Sequence, residues 1–194
     1  MKVIGITGGV GCGKSAVLSL IKENFNAYVI EADKVGKDLM QQGEAAYVKI
    51  VDIFGEEILL EDGEIDRKKL ADIVFHNKNK LMVLNSIVHP LVKKYITEEM
   101  GRQRCGEKYD YFVIEAALLL EDHYEVLCDE IWYIHASREI RISRLTESRG
   151  YSSEKIEDLF ANQLSEEEFM AKCDRVIENS GDISETLIAL QKIL

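Results

Sequence analysis

The sequence predicts a three-layer α/β fold with a mainly parallel sheet and a helical insertion beside it, and three features carry that expectation. Short apolar strands alternate with amphipathic helical segments. The first strand runs straight into a glycine-rich turn that opens a helix. A long helical stretch without a clear strand separates the second strand from the third. Strands separated by helices imply βαβ units and therefore a parallel sheet covered on both faces.

Residues 2–7 (Lys-Val-Ile-Gly-Ile-Thr) read as a buried strand. From Lys14 the period becomes helical, with Val17, Leu18, Ile21 and Phe25 falling on one face. Residues 27–30 form a second strand, which ends at Glu31-Ala32-Asp33. Helices follow over 34–41 and 45–54, then an acidic loop or hairpin over 55–63. Further helices are expected over 67–75, 77–88 and 91–104, the last two divided at His89-Pro90 because a residue before proline avoids the α region. Strand character returns at 111–114 and 130–135. Helices are expected at 138–147 and 151–163, a short strand at 176–177 and a closing amphipathic helix at 183–194. The chain thus reads as one domain: a core of residues 1–33, 106–137 and 174–194, an insertion over about 34–105 and a lid over about 138–165.

Composition narrows the function. With 24 Lys plus Arg against 35 Asp plus Glu, the net charge of −11 repels nucleic acid backbones, while a small anion held by a few placed cations remains compatible. No apolar run approaches the about 20 residues that span a membrane; the longest, 112–120, is interrupted by Glu115. No signal or transit peptide is recognisable at the start. Cys12, Cys105, Cys128 and Cys173 lack metal-ligand spacing, and a reducing, cytoplasmic setting is expected.

Gly8-Gly9-Val10-Gly11-Cys12-Gly13-Lys14-Ser15 matches G-x-x-x-x-G-K-[ST] in full, between an apolar strand and an amphipathic helix. Glycines let successive N–H groups crowd around phosphate oxygens, and the following helix points its positive end at the same anion. Gly9, Val10, Gly11, Cys12, Gly13, Lys14 and Ser15 are therefore the expected ATP cradle. Lys14 would reach the β- and γ-phosphates and Ser15 would take a Mg²⁺ position. Cys12 reads as a small filler, because backbone N–H groups do the loop's work. The fold expectation becomes a P-loop NTPase fold.

Asp33 closes the second strand, where a carboxylate accepts a hydroxyl proton during phosphoryl transfer or, alternatively, caps the next helix. Glu115 ends the third strand, a position suited to holding Mg²⁺ or its waters, with a solvated strand-end acid as the other reading. Glu121 follows Leu118-Leu119-Leu120 and faces substrate or solvent. Of eight arginines, half lie within twelve residues: Arg138, Arg141, Arg144 and Arg149. Planar guanidinium groups suit phosphate, so a lid role is favoured over a solvated face, with Arg144 and Arg149 ahead of Arg138 and Arg141. His89 reads first as a helix-boundary residue.

These segments together resemble the dephospho-CoA kinase family, which opens T-G-G-[IV]-G-S-G-K-S where this chain has TGGVGCGKS from Thr7 to Ser15. Glu31-Ala32-Asp33 is similar to the family's D-A-D. Gly63-Glu64-Ile65-Asp66-Arg67, Leu84-Asn85-Ser86-Ile87-Val88-His89-Pro90, Gln163 and Val176-Ile177-Glu178-Asn179-Ser180-Gly181 follow in order. Ala117-Leu118-Leu119-Leu120-Glu121 resembles P-L-L-[FV]-E, with Ala117 for the Pro; Glu31 replaces an Asp, Cys12 a Ser, and Lys37 a frequent Arg.

The resemblance implies ATP and Mg²⁺ as co-substrate and metal, dephospho-CoA as acceptor and a helical substrate-binding insertion. Asp33, Lys14 and Arg144 would be the catalytic residues. Arg144, Arg149, Asn179 and Gly181 would lie on the nucleotide, and Thr7, Asp33, Arg67, His89, Leu118 and Glu121 on the acceptor. Two rivals stay open here: a P-loop kinase for a nucleoside, nucleoside monophosphate or sugar acid, and a nucleotide-dependent switch. The lack of an N-K-x-D guanine signature weighs against the switch.

Overall fold

The apolar segments assemble into one five-stranded sheet in a computed structural model that describes every residue from Met1 to Leu194. The strands are β1 (Lys2–Thr7), β2 (Ala27–Glu31), β3 (Tyr111–Glu115), β4 (Glu130–His135) and β5 (Arg175–Glu178), in the order β2-β3-β1-β4-β5. β1 pairs in parallel with both β3 and β4, placing Ile4 opposite Val113 and Glu130, and β4 pairs in parallel with β5. Every residue of β1 after Lys2 is buried, as both-face coverage requires.

Side chains alternate across the strands and so feed two helical layers. Trp132 and Ile134 of β4 join Ile4, Ile6 and Val113 in a buried cluster, with Val17, Leu18 and Ile21 from α1 (Lys14–Asn24) and Leu190 from α9 (Ile183–Gln191). Tyr133 points to the other face and stacks on Phe169 of α8 (Glu166–Lys172), ring centres 4.7 Å apart. Along the chain, α6 (Arg138–Arg149) and α7 (Ser153–Ala161) connect β4 to α8. The architecture is the expected three-layer α/β fold.

The chain divides into two compact units, Met1–Ile30 with Gln103–Leu194, and Glu31–Arg102. The second contains α2 (Ala32–Leu39), α3 (Ala45–Phe54), α4 (Arg67–Phe75) and most of α5 (Lys78–Gly106). Its own cluster comprises Ala46, Ile50, Phe54, Ile58, Ile65, Leu70, Val74 and Ile87. The acidic stretch after Gly55 forms a short 3-10 turn at Glu56–Ile58 and one antiparallel bridge from Leu59 to Ile65. No helix is long and apolar enough to cross a membrane.

Three expectations need correction. Helices 77–88 and 91–104 are one helix, α5, with Pro90 inside it. An interior proline loses a backbone hydrogen bond and costs ~3 kcal/mol or more, but burial of Ile87, Val92 and Ile96 holds both halves in line. Gly36 of α2 packs there too: a Cβ on it would lie 3.5 Å from Val88 and 3.6 Å from Val92. Arg149 is the last residue of α6, not a loop residue, and Gly150 ends that helix in the left-handed conformation. Helix α8 was not expected at all; a capping box between Ser165 and Glu168 starts it.

Candidate active site

The phosphate loop leaves the carboxyl end of β1 between β3 and β4, the crevice where open parallel sheets bind ligands. Gly13 adopts φ 87°, and a Cβ there would collide with the Asn179 amide, so a glycine is required. Lys14 and Ser15 then begin α1, where Ala16 and Val17 N–H donate to Gly13 O at 3.0 and 3.2 Å, and the positive N-terminal end of the helix lies at the loop, favouring an anion there.

Side chains from elsewhere hold the loop's carbonyls. Asn179 Nδ2 donates to Cys12 O at 2.8 Å, and Arg144 Nη1 donates to the same oxygen at 3.2 Å. Arg144 Nη2 donates to Asn179 O at 2.8 Å, and Thr186 Oγ1 donates to Asn179 Oδ1 at 3.0 Å. Arg141 Nε donates to Val10 O at 2.8 Å. With these carbonyls held by outside donors, the loop's backbone shape is fixed, the kind of loop in which successive N–H groups form an anion nest.

Lys14 Nζ donates to Gly8 O at 2.7 Å and lies 4.0 Å from Glu115 Oε1, so the structure brings Lys14, Ser15 and the buried Glu115 to one end of the sheet. A hydroxyl and one carboxylate are hard oxygen donors that fit Mg²⁺, an ion usually held through one or two carboxylates, substrate phosphates and water. No group of three or more His, Cys, Asp or Glu offers an all-protein metal cage. Cys12 is buried, and burial pushes its thiol pKa up, which suits a filler rather than a nucleophile. Thr7 is fully buried and its hydroxyl has no hydrogen-bond partner.

The arginines divide. Arg144 braces the loop as described, and Arg149 is exposed, its guanidinium carbon 5.9 Å from the Tyr151 ring centre. Arg138 pairs with Glu157 of α7. Arg141, ranked behind Arg144 and Arg149 from sequence, is the one packed on the loop crest, together with Gln163. Its helical spacing of three from Arg144 was the available signal, since residues three apart share a face. Gly181, Leu118 and Glu121 are exposed in the same unit.

In the second unit, Asp33 sits in the first turn of α2 and is exposed. The cap position belongs to Glu31, and no side chain caps that helix, so the N-cap reading of Asp33 fails. Arg67 begins α4 and donates to Lys37 O at 3.0 Å; His89 is half-buried within α5. A recess of about 170 Å³ is lined by Val35, Asp38, Leu39, Glu44 and Tyr95, none of them an expected substrate residue.

The dephospho-CoA kinase family pattern matches residues 2–185. The chain is 39% identical over 194 residues to the dephospho-CoA kinase of Carboxydothermus hydrogenoformans, covering 100% of this chain and 93% of that one. Identity to the enzyme of the same name from Aquifex aeolicus is 39% over 193 residues, with 100% and 96% covered. Among solved structures, a protein from Thermus thermophilus superposes with a TM-score of 0.83 at 27% identity, covering 99% and 95% of the two chains. The dephospho-CoA kinase from Campylobacter jejuni gives 0.72 at 27% identity, with 100% and 98% covered. Shikimate kinase from Bacteroides thetaiotaomicron, 11% identical with a TM-score of 0.54 over 99% and 97% of the chains, shares the fold.

Proposed function

As the chain belongs to the dephospho-CoA kinase family, we propose how its residues divide the work of moving the γ-phosphoryl group of ATP to the ribose 3′-hydroxyl of dephospho-CoA, the step that completes coenzyme A. The observation that carries the reading is the braced loop, whose carbonyls are held by Asn179, Arg144 and Arg141. Such a loop presents its N–H groups to the β- and γ-phosphates. Lys14 exchanges Gly8 O for a phosphate oxygen. Ser15 and Glu115 are the side chains that would hold Mg²⁺, which when bound neutralises charge on the phosphate oxygens.

Asp33 takes the proton of the 3′-hydroxyl. The O3′–Pγ bond forms as the bond from Pγ to the β-phosphate oxygen breaks, and ADP leaves. Arg144 keeps the loop in shape, Arg149 adds charge over the nucleotide, and Asn179 and Gly181 lie on its adenine side. Arg67 and His89 serve the acceptor from a helical insertion over about 34–105, Thr7, Leu118 and Glu121 serve it from the other unit, and residues 138–165 act as a lid. Four free thiols and a net charge of −11 support a cytoplasmic enzyme without nucleic acid partners.

Lys14→Ala tests the loop's part in the chemistry. Lys14 lies where its removal leaves no apolar cavity, so circular dichroism should be unchanged while coupled ADP release with dephospho-CoA falls to near background. Full turnover in a folded Lys14→Ala protein would remove the loop from the reaction.

A further inference from the structure

Val10, at the crest of the phosphate loop, has both backbone polar groups held from outside the loop. Its carbonyl accepts from Arg141 Nε at 2.8 Å, and its N–H donates to Gln163 Oε1 at 3.0 Å. Arg141 Nη2 donates to the same Gln163 oxygen at 3.1 Å, which closes a ring of three hydrogen bonds. The Arg141 guanidinium carbon lies 4.1 Å from the centre of the Phe160 ring, so a flat cation is sandwiched between ring and loop. Contact with the loop is direct: a Cβ on Gly9 would come within 2.5 Å of Arg141 Nη2. Arg141 comes from α6, Phe160 from the last turn of α7 and Gln163 from just beyond it, so one loop residue is tied to two helices.

We propose that Arg141 and Gln163 are positioning residues for ATP, fixing the Val10 peptide groups so that the loop is shaped for phosphate before the nucleotide arrives. This rests on the reading of the loop as the ATP site. With glycine at 8, 9, 11 and 13, the loop has wide backbone freedom unless something outside restrains it. Ordering it at the moment of binding would weaken affinity, whereas a loop already ordered binds without that cost. Neither side chain needs to touch the transferring phosphoryl group. The brace therefore favours nucleotide binding in ground state and transition state alike, and its loss belongs in KM for ATP rather than in kcat. A plug would behave in the opposite way: if Gln163 blocked a donor that ATP needs, removing it would strengthen ATP binding.

The test is steady-state kinetics with ATP varied at saturating dephospho-CoA, together with calorimetric binding of a non-hydrolysable ATP analogue. Gln163→Ala should raise both KM for ATP and the analogue Kd by about tenfold, the scale of one lost hydrogen bond, with kcat within about twofold of wild type. Arg141→Met keeps an apolar stem beside Phe160 but has no donor; it should give the same rise, and it carries the test if Gln163→Ala does not fold. Unchanged KM and Kd overturn the proposal, as does a fall in KM, which is the plug's signature, or a loss confined to kcat. Lys14→Ala separates the two levels. Full turnover there removes the ATP-site reading itself. Loss of turnover there with an unchanged KM in Gln163→Ala removes this proposal alone.

Discussion

Asp33 is the side chain on which the proposed chemistry most depends, and the structure sharpens its test. Glu31 occupies the cap position of α2 and no side chain makes a cap bond, so Asp33 owes that helix no hydrogen bond that Asn would have to replace. Asp33→Asn should leave the thermal midpoint nearly unchanged and lower kcat by ~10²–10⁴-fold with a modest change in KM, the signature of a lost proton acceptor. A kcat near wild type in Asp33→Asn would reject the assignment. At this scale the sequence made legible those residues whose chemistry depends on immediate neighbours. Lys14 and Ser15 belong to one contiguous motif, and Glu115 ends a strand that its own apolar run announces. Arg141 and Gln163 were underrated because their partner Val10 is 131 and 153 positions away, and only the fold brings them together. Arg149, close to Arg144 in sequence, is exposed and packs beside Tyr151.

Elements were legible where period and punctuation agreed, as in β1, α1, α3, α4 and β4. They were missed where a tertiary contact overruled a local rule. Pro90 reads as a break, yet burial of Ile87, Val92 and Ile96 keeps α5 continuous. Helix α8 hides in a glutamate-rich stretch whose one large apolar anchor, Phe169, makes sense only against Tyr133. The edge of the sheet supplies a pH test at this scale. Glu130 of β4 receives Arg175 Nε from β5 at 2.9 Å, Lys2 Nζ from β1 at 2.8 Å and Trp132 Nε1 at 2.9 Å, joining three strands. Hydrogen bonds from Arg175 first, then Lys2 and Trp132, pull its pKa from 4.5 to about 2. A carboxylate with a depressed folded pKa stabilises the fold fully above its unfolded value and loses that contribution as pH falls through the folded value. Glu130→Gln should therefore lower the urea midpoint at pH 7, by an energy of about 1 kcal/mol or less because the pairs are partly exposed. The gap to wild type should close on acidification from 4.5 toward about 2. A gap that stays constant down to the acid end of that window would detach the sheet edge from this carboxylate.

At the scale of the whole molecule, the two units carry separate apolar cores. Ile4, Ile6, Val113, Trp132 and Ile134 belong to one, Ile50, Phe54, Ile58 and Leu70 to the other, and no buried residue is shared between the two clusters. The phosphate loop and its braces lie wholly within the first unit, whereas Asp33, Arg67 and His89 lie in the second. Damage to one core should therefore reach the two substrates unequally. Ile50 is fully buried, and truncating such a side chain costs ~2–5 kcal/mol through lost transfer energy and the cavity left behind. Ile50→Ala should speed amide hydrogen exchange across residues 31–102 while β1, β3 and β4 keep their protection, because openings follow local cooperative units. Under the same conditions KM for dephospho-CoA should rise severalfold, and the Kd of a non-hydrolysable ATP analogue should stay within about twofold of wild type. The exchange measurement and the two affinities check one another. Equal acceleration in both units would mean that the chain opens as one cooperative body. An ATP affinity that falls with the dephospho-CoA affinity would show that the loop's shape depends on the second core as well as on Arg141, Arg144, Gln163 and Asn179.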